Sequence, residues 1–106
     1  MDAVVIFCTV PKKEDAKKIS VALVQEGLAA CVSTTDKVNS IFSWDNELCS
    51  ENELLLIIKT RLELFDKIEA VIKALHPYNV PEIIALPIIK GSKDYLQWLE
   101  HETAEE

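Results

Sequence analysis

Two kinds of apolar spacing alternate along this chain in one order, and that order closes off most folds. The contiguous run Ala3-Val4-Val5-Ile6-Phe7-Cys8-Thr9-Val10 reads as a buried strand over 3–10, ended by Pro11. Over 12–26 the period changes. Ala16, Ile19 and Leu23 form an i, i+3, i+7 stripe, with Val24 and the lysines off it, which predicts a helix. Gly27 accepts the left-handed conformation that ends helices. Residues 28–44 then read as extended, with Leu28-Ala29-Ala30-Cys31-Val32 buried, a bulge or turn at Asp36-Lys37, and the strand resuming through Ser40-Ile41-Phe42-Ser43-Trp44. Asp45-Asn46 tolerates positive φ and predicts a tight hairpin, returning through Glu53-Leu54-Leu55-Leu56-Ile57-Ile58-Lys59.

Thr60-Arg61-Leu62-Glu63 has the form of a capping box, and a second helix is expected after it with Phe65, Ile68, Val71, Ile72 and Leu75 on one face. It must stop by His76, because Pro77 disfavours a helical residue before it. Pro81 and Pro87 flank Ile83-Ile84-Ala85-Leu86, which marks an edge or bulged strand. Ser92 can cap a last helix carrying Tyr95, Leu96, Trp98 and Leu99. The charged tail over 100–106 is expected to fray.

The resulting order is β-α-β-β-α-β plus a terminal helix. That is an α+β, ferredoxin-like sandwich, and 106 residues make one domain over 1–106. Both helices would lie on one face of the sheet. Their stripes cannot shield the apolar content of four long strands, so the other face and the open edges call for a second copy of the chain.

Composition excludes several functions. A net charge of −7 with a single arginine, Arg61, is unsuited to phosphate backbones, so nucleic acid is not an expected partner. No apolar run reaches the ~18 residues that span a bilayer, and Asp2 with Pro11-Lys12-Lys13 does not make a secretory signal. Three cysteines, Cys8, Cys31 and Cys49, with no C-x-x-C spacing argue for free thiols and a cytoplasmic setting. Two glycines leave no room for a phosphate-cradling loop, and Thr9-Val10-Pro11-Lys12 lacks the arginine that acylphosphatase chemistry on this fold would need. No acid/base pair can be named, so an enzyme is not expected.

His76-Pro77-Tyr78-Asn79-Val80-Pro81-Glu82-Ile83 sets an imidazole, a phenol, an amide and a carboxylate between prolines that fix the backbone. It reads either as a structural connection, with His76 at a helix end and Tyr78 packed, or as a ligand-binding loop. Lys59, at the rim of an apolar strand, either snorkels to solvent or pairs with an acid such as Glu82 to shape a pocket. Cys8 and Cys31 read as small buried hydrophobes, or Cys8 as a soft ligand beside His76, suited to copper. Cys49 reads as exposed. Trp44 and Trp98 are packing anchors by default, with ligand stacking as the alternative.

Six of these segments, in this order, resemble the CutA family of divalent-cation tolerance proteins along nearly the whole chain. They are Cys8-Thr9-Val10-Pro11, Leu28-Ala29-Ala30-Cys31-Val32, Ser40-Ile41-Phe42-Ser43-Trp44, Lys59-Thr60, His76 through Ile83, and Tyr95-Leu96-Gln97-Trp98-Leu99. The resemblance implies a ferredoxin-like subunit in a tight homotrimer, with an architecture akin to PII signalling proteins. It implies a role in tolerance of copper and other divalent cations, with Cys8 and His76 as ligands for Cu²⁺ or another divalent metal ion. It also implies an intersubunit cleft lined by Trp44, Lys59, Tyr78, Glu82 and Trp98. A PII-like module holding a small ligand in that cleft is the alternative. The chain has Leu75 where some members carry a second histidine, Asn79 where the family's usual residue is glutamate, and Asn46 where the hairpin usually has glycine.

Overall fold

Pairing between strands distant in sequence decides this fold. The structure is a computed structural model that describes residues 1–103. Strand β1 (Ala3–Val10) lies beside β3 (Glu47–Arg61) and β4 (Ile84–Pro87), and β3 also pairs with β2 (Cys31–Trp44). The order is β2-β3-β1-β4, and every neighbouring pair is antiparallel. Helices α1 (Lys13–Gln25) and α2 (Phe65–Leu75) cover one face, and α3 (Lys93–Glu102) follows β4. The chain is thus a small α+β fold with four strands and three α-helices among the described residues.

Register shows what each face holds, because directly paired residues share a face. On the helix side Val4, Ile6, Cys8 and Val10 pair with Thr60, Ile58, Leu56 and Leu54. All four β1 side chains are buried, as are Leu56, Ile58 and Thr60. They meet Ala16, Ile19 and Leu23 of α1 and Ile68 and Ile72 of α2, the stripes read from the sequence. The opposite face is apolar too. There Val5 and Phe7 pair with Leu86 and Ile84 on one side and with Lys59 and Ile57 on the other. No helix among α1 and α2 covers it, and Ile84 and Leu86 stay exposed.

The hairpin forms as expected. Asp45 and Asn46 take φ of 51° and 65°, the left-handed pair that matches strand twist. The bulge falls between Thr34 and Lys37, where two residues of β2 face one of β3, and the Thr35 hydroxyl accepts from the Leu55 amide at 2.9 Å. β1 ends opposite Leu54, so residues 38–44 and 47–53 pair only with each other. They form an arm on a molecule 44 Å long and 26 Å wide. β4 is an edge strand, as its prolines require.

Several local expectations need correction. Thr60 caps no helix. β3 runs on to Arg61, and the Thr60 hydroxyl donates instead to the Leu28 carbonyl at 2.6 Å. A 3₁₀ turn over Leu62–Leu64 leads into α2, which has no side-chain cap. Cys31 is half-buried rather than buried, as it lies on the open face, and Cys49 is half-buried rather than exposed. Residues 100–103 do not fray. Leu99 and Thr103 are buried, and Arg61 donates from Nη2 to the Thr103 carbonyl at 2.6 Å and to the Glu100 carbonyl at 3.4 Å. The remainder of the expected fraying tail, 104–106, lies outside the described residues. Ser92 does cap α3, accepting from the Tyr95 amide at 3.3 Å.

Candidate functional site

The loop after α2 is held to the sheet by its own polar groups. His76 ends α2, its amide donating to the Ile72 carbonyl at 2.8 Å. Its Nε2 lies 2.7 Å from the Thr9 carbonyl oxygen. A carbonyl only accepts, so Nε2 carries the proton. Nδ1 accepts from the Tyr78 amide at 3.0 Å, so the ring is the neutral Nε2–H tautomer with both nitrogens occupied. Tyr78 packs on that ring with centroids 4.8 Å apart, and its hydroxyl donates to Glu53 Oε2 at 2.9 Å. This chain of contacts ties β1, the α2–β4 connection and β3 together. The structural reading of the loop is realised: His76 ends the helix and Tyr78 packs against its ring.

Glu53 is the residue that sequence reasoning passed over. It is only 5 % exposed, and among the described residues its carboxylate has no ion-pair partner. Burying a carboxylate without a cation is costly, so such a group marks a place where charge is managed. A glutamate at the end of an apolar run was the available signal.

Electrostatics follow from this acid cluster. Burial pushes the Cys8 thiol up to about 12, with the charges of Glu82 and Glu53 adding to the effect. Burial, the hydrogen bond to Glu53 and that carboxylate's charge push Tyr78 up to about 12, with Glu51 and Asp15 contributing less. The structure therefore brings Cys8, His76, Tyr78, Glu82 and Glu53 to one end of the sheet. Cys8 faces the helix-side core, its thiol 3.8 Å from the Thr9 carbonyl.

As arranged, the Cys8 and His76 pair does not fit a soft metal ion. The thiol holds its proton at neutral pH, and the imidazole has no free nitrogen. Among the described residues no three His, Cys, Asp or Glu side chains gather around one point. An ion there would have to displace a proton and two hydrogen bonds.

The other expected cleft residues lie elsewhere in the subunit. Lys59 is on the open face opposite Cys31, where Nζ donates to the Ser33 hydroxyl and to the Ile57 carbonyl at 3.2 Å. Among the described residues it pairs with no carboxylate. Trp98 stacks against Tyr95 on α3 at 5.5 Å, half-exposed. Trp44 stands at the tip of the arm, 54 % exposed. One subunit alone does not bring these five side chains together.

A family model described as CutA1 divalent ion tolerance protein matches residues 4–102. Among curated relatives, the divalent-cation tolerance protein CutA of Thermus thermophilus is 48 % identical over 99 residues, 93 % of this chain and 96 % of that protein. The chloroplastic protein CutA of Arabidopsis thaliana is 45 % identical over 101 residues, 95 % of this chain but 56 % of that protein, so the chain spans little more than half of that relative. The crystal structure of CutA1 from Oryza sativa superposes with a TM-score of 0.96 at 42 % identity, covering 100 % of this chain and 97 % of the other.

Proposed function

Because the chain belongs to the CutA1 divalent ion tolerance protein family, we propose that it serves divalent-cation tolerance as a homotrimer of ferredoxin-like subunits. Residues 1–106 form its single domain, and we assign it to the cytoplasm and to binding rather than to catalysis. In this reading cations are drawn to intersubunit clefts that join Tyr78 and Glu82 of one subunit to Trp44, Lys59 and Trp98.

Glu53 carries the cation reading. Its buried carboxylate accepts from the Tyr78 hydroxyl but faces no cation among the described residues, and a divalent ion would relieve its charge. Copper on Cys8 and His76 belongs to the same proposal, as a site that opens when the Thr9 and Tyr78 hydrogen bonds to the imidazole are released. Titration calorimetry of the assembled protein with Cu²⁺ tests it, using only variants that keep the wild-type sedimentation coefficient. Glu53→Gln and the double variant Cys8→Ser, His76→Ala should each weaken binding at least about tenfold, the cost of one charge-assisted contact. Unchanged copper affinity in the double variant removes Cys8 and His76 from the site.

One observation favours a second reading, a PII-like module for a small anionic ligand. Lys59 offers an ammonium on the open face, held by Ser33 and Ile57 and paired with no carboxylate among the described residues. In a thermal-shift screen of metabolites, a true ligand of this kind raises the melting temperature of the wild type and loses that effect in Lys59→Met.

A further inference from the structure

We draw no further inference here: the strongest candidate, the cluster of Cys31, Ser33 and Lys59 on the open face of the sheet, shares its lysine with the cleft already described and otherwise rests on a lone cysteine, with nothing in the structure to show what would react there.

Discussion

Cys8 illustrates how position outweighs residue type. Its sulfur lies in the core between sheet and helices, and burial with the charges of Glu82 and Glu53 moves its pKa from 9.0 to about 12. The sign of the consequence is fixed by proton counting. Between those two values the unfolded chain has lost the thiol proton and the folded chain has kept it, so the folded state binds more protons and stability falls as pH rises. Tyr78, also raised to about 12, acts in the same direction. Urea unfolding from pH 8 to 10.5 should show this alkaline loss, with Cys8 contributing at most about 1.4 kcal/mol per pH unit. Cys8→Ala should lose part of that slope. An identical slope in the variant would mean that the thiol titrates normally. The importance of the His76–Ile83 segment was legible in its mixture of polar groups and prolines. That of Glu53 was not, because its burial depends on a phenol 25 positions further along the chain.

At the scale of elements, one side chain of β3 makes the hydrogen bonds to the end of α3 among the described residues. Arg61 Nε donates to the carbonyl and hydroxyl of Thr103, both at 3.2 Å, while Nη2 reaches the Thr103 and Glu100 carbonyls. A cation on the last carbonyls of a helix also answers its dipole. Arg61→Leu should therefore cost about 2–3 kcal/mol, as for loss of charged hydrogen bonds, and should speed hydrogen exchange in α3 before any other helix. Uniform acceleration across the molecule would show that α3 is not separately fastened. The same corner explains why the capping box over 60–63 did not form. The motif is real in the sequence, but Thr60 sits in a strand whose partner Val4 holds it in extended geometry, and its hydroxyl serves Leu28. Tertiary pairing outcompetes a local cap worth about 1 kcal/mol.

For the whole molecule, the open face governs. Val5, Phe7, Ile57, Ile84 and Leu86 share it by register, and Phe42 and Trp44 add exposed apolar surface on one face of an arm paired only with itself, with Ile41 and Leu48 on the arm's other face. A lone two-stranded hairpin is marginal in water, and a contiguous apolar face of this kind marks an interface. Sedimentation velocity at micromolar concentration should show a trimer, and Leu86→Lys should shift it toward smaller species. A well-folded single subunit at that concentration would remove the intersubunit cleft and the roles given to Trp44, Lys59 and Trp98.

The sequence by itself determined the order of elements, the hairpin at Asp45-Asn46 and the core stripes of α1 and α2. Those features rest on local periodicity and on backbone preferences of single residues, which act within a turn or a few positions. Only the tertiary structure decided that Cys8 faces the helices, that Lys59 faces away from them and that Glu53 is buried under Tyr78. Each of these depends on which distant strand or loop lies opposite, and that choice is made when the whole sheet closes at once rather than residue by residue.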